Sequence, residues 1–241
     1  MENRIAKLAT LMPQGFEAAL IKTEANRFYF LDLDVGDAGT VLVLQDSAYF
    51  IIDSRYIEIA RREVTSAEVV LETKPLVQIA ELLKQHGASS LYIEDGVSMH
   101  YFAELQKALP GIALLADSTL METVESMRQI KDEEEVARMR EAQRITDDCF
   151  TYICGQIHPG LREIDLALLM ESYMRSHGAT GLAFNTIFVS GSNSSLPHGE
   201  PGERVVCEGD FVTMDYGAKY RGYCTDMTRT VAVGYASPEM E

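Results

Sequence analysis

Asp215 and Asp226 are the residues whose placement most suggests chemistry. They lie in the segment Phe211-Val-Thr-Met-Asp-Tyr-Gly-Ala-Lys-Tyr-Arg-Gly-Tyr-Cys-Thr-Asp-Met-Thr-Arg-Thr230. The alternation of apolar and polar residues reads as two strands joined by a tight loop. If that loop is Lys219 to Gly222, Asp215 faces Asp226 directly, and period-two alternation puts both carboxylates on one face. Opposed positions on paired strands lie roughly 5 Å apart at Cβ. Two carboxylates at that separation repel, and a divalent cation between them turns the repulsion into attraction. A solvated hairpin carrying two unrelated surface acids is the other reading, and spacing alone leaves both open.

His198 is the second candidate. It follows proline and precedes glycine in Ser190-Gly-Ser-Asn-Ser-Ser-Leu-Pro-His-Gly199, a composition that holds a side chain in a fixed, exposed turn. A histidine there could move a proton or bind a developing anion; a solvated loop histidine is the alternative. Arg229 falls on the opposite strand face from Asp226 and could brace the sheet. His86, His100, His158 and His177 stand alone at helix or turn positions, and Glu200 and Glu203 sit in a polar loop. No Ser-His-Asp or Cys-His arrangement stands out.

The elements that must position these residues begin near Met127. Asp132-Glu-Glu-Glu135 has the spacing of a capping box, and Val136, Met139, Ile145, Cys149 and Ile153 then form an apolar stripe at helical spacing. His158-Pro-Gly160 ends that helix. A second helix runs from about Arg162 to His177 and stops at Gly178. Asn185 to Val189 reads as a strand, the loop Ser190 to Glu203 follows, and the aspartate hairpin comes last. Upstream, apolar runs at Ala18–Ile21, Thr40–Leu44, Tyr49–Ile52, Val69–Leu71, Leu91–Ile93 and Ile112–Leu115 read as strands. Helical patterns near Arg55–Glu63, Leu76–Gln85 and His100–Leu109 alternate with them. This order predicts an α/β domain over residues 1–125, a mixed sheet with flanking helices, followed by a second domain over 126–241.

Composition narrows the partners. The chain has 241 residues, with 37 Asp plus Glu against 21 Lys plus Arg, a net charge of −16. Such a balance argues against a nucleic-acid partner and suits a site that gathers cations. No apolar stretch reaches the roughly 20 residues of a membrane span, and the first residues lack the apolar core of a signal peptide. Cys149, Cys154, Cys207 and Cys224 fit no zinc spacing and read as reduced, mostly buried thiols of a cytoplasmic protein.

The order of motifs resembles a known family. Arg128-Gln-Ile-Lys-Asp-Glu-Glu-Glu-Val-Ala-Arg-Met-Arg140 is similar to the segment that opens the catalytic domain of proline-specific aminopeptidases. Gly178-Ala-Thr-Gly-Leu-Ala-Phe-Asn-Thr-Ile187 and the His198 loop resemble the next two segments. Gly209-Asp-Phe-Val-Thr-Met-Asp-Tyr-Gly217 and Gly222-Tyr-Cys-Thr-Asp-Met-Thr-Arg-Thr230 resemble the first metal-ligand strands. The family is the pita-bread metallopeptidases: Xaa-Pro aminopeptidase, Xaa-Pro dipeptidase (prolidase) and creatinase. The resemblance implies a creatinase-like N-terminal domain followed by the first half of an α+β pita-bread catalytic domain. It makes Asp215 and Asp226 metal ligands, Asp226 a bridge between two ions, and His198 a residue beside the scissile bond. It implies two divalent ions, manganese foremost with cobalt or zinc as alternatives, holding a bridging hydroxide. It also implies a peptide substrate with proline in second position and a homodimer or larger assembly.

In the family a histidine and two glutamates from later strands complete the metal site. After Asp226 the acids of this chain are Glu239 and Glu241, and no histidine follows His198. The expectation is therefore a C-terminally truncated member, inactive by itself, whose hairpin leaves an edge and an apolar face open. Prolidase activity and a non-catalytic interaction module are the competing readings.

Overall fold

The alternating apolar runs of the first half assemble into a single six-stranded sheet in the computed structural model, which describes residues 4–238. Glu239 and Glu241 lie outside the described residues. The elements in order are α1 (Arg4–Leu11), β1 (Ala18–Ile21), α2 (Glu24–Leu31), β2 (Thr40–Leu44), β3 (Ala48–Ile52), α3 (Ile57–Glu63), β4 (Glu68–Leu71), α4 (Pro75–Gln85), β5 (Ser90–Ile93), α5 (Met99–Ala108), β6 (Ala113–Leu115) and α6 (Thr119–Gln129). The sheet order is β4-β3-β2-β1-β5-β6. β1–β2 and β2–β3 are antiparallel, whereas β1–β5, β5–β6 and β3–β4 are parallel. Parallel neighbours joined through helices bury both sheet faces, and every residue of β1 and β2 is buried. The expected mixed sheet with flanking helices is present.

Helices α1, α2 and α6 were not expected from the sequence. In α2 the reason is chemical: Asn26 and Arg27 are buried and break the apolar stripe. The Arg27 guanidinium donates to the carbonyls of Gly36, Asp37 and Gly39. Asn26 donates to the fully buried carboxylate of Glu94 at 2.6 Å. Asn26 is tied to a distant side chain and Arg27 to backbone carbonyls beyond the helix, which helical periodicity cannot reveal.

Compact units divide at Ile130 and Lys131 rather than at the expected 125/126. The earlier position falls inside α6, whose Leu120, Val124 and Met127 belong to the core of the first unit. The second unit contains α7 (Glu133–Cys154), α8 (Glu163–Ser176), β7 (Gly181–Leu182), β8 (Ile187–Ser190), β9 (Phe211–Tyr216), β10 (Ala218–Tyr220), β11 (Tyr223–Cys224) and β12 (Met227–Ala232). Two small sheets form, ordered β12-β9-β8 and β11-β10-β7.

The capping box at Asp132 and Glu135 is present on α7. Its buried stripe is Ala142, Ile145, Cys149 and Ile153, with the polar Glu135 and Thr146 included. Met139, assigned to that stripe from spacing, is 37% exposed. α7 and α8 cover one face of the β12-β9-β8 sheet, packing Ile145, Leu166, Met170 and Met174 with Phe188, Val212, Met214 and Tyr216. β9 alternates strictly, so Val212, Met214 and Tyr216 face the helices while Thr213 and Asp215 face away. β12 is an edge strand, and its exposed stretch is the polar Thr228-Arg229-Thr230, not the apolar face expected there.

Of the four cysteines only Cys149 is buried; Cys154, Cys207 and Cys224 are exposed, contrary to the expectation of mostly buried thiols. Burial pushes the Cys149 thiol up to about 12. Among the described residues no helix is long and apolar enough to cross a membrane.

Candidate metal and substrate site

The aspartate hairpin is present, with a register different from the expected one. Its turn is Arg221-Gly222, between paired Tyr220 and Tyr223. Both turn residues have positive φ, 45° and 83°, as a two-residue type I′ turn requires. Asp215 consequently pairs with Thr228, and Met227 with Tyr216. Asp226, two residues before Thr228, stands diagonal to Asp215. A shift of two positions preserves the face of every side chain, so alternation keeps both aspartates on the side of the sheet away from the helices. Diagonal neighbours lie about 7–8 Å apart, a span that one or two cations can bridge.

The two carboxylates differ in exposure. Asp226 is exposed, and Asp215 is half-buried. Asp215 Oδ1 is buried and has no hydrogen-bond partner, although Ile187 and Thr228 flank the residue on the neighbouring strands. Buried carboxylate oxygens are normally satisfied by donors or by a metal ion. The orphaned oxygen thus fits a cation, and oxygen donors suit a hard one. Among the described residues no group of three or more His, Cys, Asp or Glu side chains comes together as a metal cluster, so the two aspartates are a partial donor set.

The hairpin bends where β9 passes into β10. At Gly217 the two backbones approach so closely that a Cβ would lie 1.8 Å from the Thr225 carbonyl oxygen. Thr146 of α7 fixes this crossing. Its hydroxyl donates to the Ala142 carbonyl at 3.0 Å and meets the Thr225 hydroxyl at 2.7 Å. The Ala218 amide donates to both hydroxyls, at 3.2 and 3.1 Å. Sequence reading passed over Thr146 because a threonine inside a helix carries no local signal of its partner. Thr146→Val keeps the shape and removes the hydroxyl, so the second unit is expected to lose about 1–3 kcal/mol in chemical denaturation. Thr146→Ser is expected to recover most of it. A loss no larger than that of a surface substitution, about 0.5 kcal/mol, would show that the hydroxyl does not hold the bend.

His198 is exposed in a turn of the loop between β8 and β9. The Gly199 amide closes that turn on the Leu196 carbonyl at 3.1 Å. A Cβ on Gly199 would come within 2.8 Å of Val189 Cγ1. Val189 pairs with Thr213 and so shares the face of Asp215. The turn therefore lies over the side of the sheet that carries the carboxylates. Arg204 anchors the end of the loop to Asp210 at 2.6 Å, and that hydrogen bond holds the Asp210 carboxyl below the usual carboxylate range. Glu203 is paired with Arg162 at 2.8 Å. Arg229 lies on the helix side of the sheet and donates to the Thr228 carbonyl.

Residues 4–130 match the Creatinase/Prolidase N-terminal domain, and residues 137–241 match Metallopeptidase family M24. A Bacillus subtilis protein called "Uncharacterized peptidase YqhT" is 38% identical over 99% of this chain and 67% of its own length. Among solved structures, "Xaa-Pro dipeptidase from Bacillus anthracis" superimposes with a TM-score of 0.89 at 36% identity, covering 98% of this chain and 66% of that one. The X-Pro aminopeptidase from Thermotoga maritima gives 0.87 at 31% identity, covering 97% and 66%. The chain thus spans about two thirds of the length of these relatives, matched in order through both of its units. It belongs to metallopeptidase family M24, with that family's creatinase-type N-terminal domain preceding the first part of a pita-bread catalytic domain.

Proposed function

We propose that this chain forms part of a metal-dependent aminopeptidase that releases the N-terminal residue from peptides with proline in second position. The observation that carries the reading is the buried, unpartnered Oδ1 of Asp215 on the sheet face shared with Asp226. A desolvated carboxylate oxygen without a donor is costly, and a divalent ion removes that cost. Asp215 and Asp226 would hold two divalent ions, manganese foremost. Ions held there lower the pKa of a bound water and steady a tetrahedral oxyanion. His198, on a turn lying over the same face, hydrogen-bonds the substrate beside the scissile bond.

An Xaa-Pro dipeptidase is the second reading, favoured by the 36% identity to the Bacillus anthracis protein of that title. A non-catalytic interaction module is disfavoured by the same Asp215 oxygen, because a protein without metal gains nothing from an unsatisfied buried carboxylate. Manganese titration calorimetry tests the common part: binding is expected in the chain and is lost in Asp226→Ala. Equal binding by chain and variant, or none by either, would refute the metal assignment. Faster hydrolysis of Ala-Pro-Ala than of Ala-Pro would support the aminopeptidase, and the reverse order the dipeptidase. Equal cleavage of Ala-Ala-Ala would remove the proline specificity.

A further inference from the structure

The first residue of α8, Glu163, is fully buried, yet no salt bridge explains it. Its carboxylate is satisfied by neutral donors from both ends of the loop that carries His198. Oε1 accepts from the Ser190 amide at 2.7 Å and the Ser190 hydroxyl at 2.9 Å. Asn193 Nδ2 reaches the same oxygen at 3.3 Å, and Oε2 accepts from the Gly202 amide at 3.3 Å. The helix start adds two backbone bonds. The Glu163 amide donates to the Arg204 carbonyl at 3.0 Å, and the Ile164 amide to the Gly202 carbonyl at 3.1 Å. These are the amides that a helix leaves without internal partners. Arg204 also reaches the Ser190 hydroxyl, which joins this cluster to Asp210.

One carboxylate therefore grips the beginning, the 3₁₀ turn (Gly191–Ser195) and the end of segment 190–202, with His198 inside the closed loop. Packing alone does not call for a charge here, since burying a carboxylate is unfavourable unless several donors converge on it. Every donor comes from the loop, so the carboxylate acts as the template on which the loop closes. We propose that Glu163 is a positioning residue for His198, holding its turn over the Asp215 face. The inference rests on the reading that His198 meets the substrate.

Glu163→Gln is the informative variant. The amide oxygen can still accept from Ser190, but the amide nitrogen then faces the Gly202 N–H, donor against donor, and the end of the loop is released. Cleavage after the exposed Glu203, at the released end of the loop, by a glutamate-specific protease is expected to become at least about tenfold faster. The His198 imidazole resonances should move toward those of a mobile histidine, while amide protection in α7 and α8 stays as it was. Unchanged cleavage and unchanged resonances would overturn the proposal. Should Glu163→Gln fail to fold, Ser190→Ala removes one hydroxyl donor and gives a smaller change in the same direction; no change there overturns it equally.

In manganese-loaded protein acting on Ala-Pro-Ala, Glu163→Gln is expected to lower kcat by about 10- to 100-fold with KM nearly kept. The double variant with His198→Ala should be no slower than His198→Ala alone. Losses that multiply would mean that Glu163 does not act through His198. Absence of activity in the unaltered chain is what a partial donor set predicts, and the protease and resonance results then decide whether Glu163 holds the loop.

Discussion

Gly217→Ala is expected to unfold much of the second unit while leaving the first intact. The position has no unusual φ; its requirement is space. An added methyl would stand 1.8 Å from the Thr225 oxygen, 2.7 Å from its carbonyl carbon and 3.1 Å from Ala183 Cβ. A flexible side chain could move aside, but this neighbour is backbone. It is held in place by the Thr225 amide on the Ala218 carbonyl at 3.0 Å, and by the Thr146 hydroxyl beyond it. On the other side the Gly217 carbonyl accepts from Ala183 at 2.9 Å. The cost should lie at the upper end for overpacking, about 3 kcal/mol or more. Hydrogen exchange should show α7, β9 and β12 losing protection. The strands β1 to β6 should keep theirs, since their core clusters contain only residues of the first unit. Retained protection throughout β9 and β12 would mean that the close approach is not needed for the hairpin.

The same bend explains what could be read in the sequence and what could not. The six strands of the first unit were legible because continuous apolar runs of three to five residues, bounded by helical patterns, have few other uses. α7 announced itself through Asp132 and Glu135, a purely local signal. α2 was hidden because Asn26 and Arg27 are buried for partners that are far away in the chain. At the candidate site, the shared strand face of Asp215 and Asp226 and the exposed turn at His198 were legible. The register was not. A four-residue loop at Lys219–Gly222 and a two-residue turn at Arg221-Gly222 end at the same residue, and the shorter turn, with Arg221 and Gly222 both at positive φ, shifts the pairing by two positions. Nothing local in the sequence sets Glu163 apart from any acid at the start of a helix, where the dipole alone accounts for it. Its partners, Ser190, Asn193 and Gly202, are distant in sequence.

Asp215→Asn should reverse its effect on stability according to whether metal is present. Without metal, the native protein buries a carboxylate oxygen that no donor satisfies. An amide in its place removes the charge from that environment. The metal-free variant is therefore expected to be more stable than the native chain by about 1 kcal/mol, within the range for a buried unsatisfied group. With manganese, a ligand that binds only the folded state stabilises it in proportion to the logarithm of its saturation, about 1.4 kcal/mol at ten times the dissociation constant. Two carboxylates make a weak site, so the effect should require high metal concentration. The native chain should then melt progressively higher as manganese is added, whereas Asp215→Asn should not respond. The two melting curves are expected to cross. Magnesium serves as a comparison, because its reluctance to give up water should leave a smaller rise. A native chain whose melting is insensitive to every divalent ion would remove the metal from this face and leave the Asp215 oxygen without an explanation. A variant less stable than the native chain in chelator would show that the carboxylate is satisfied without metal. The sign of the metal-free difference thus tests the strain at Asp215, and the slope with manganese tests what relieves it.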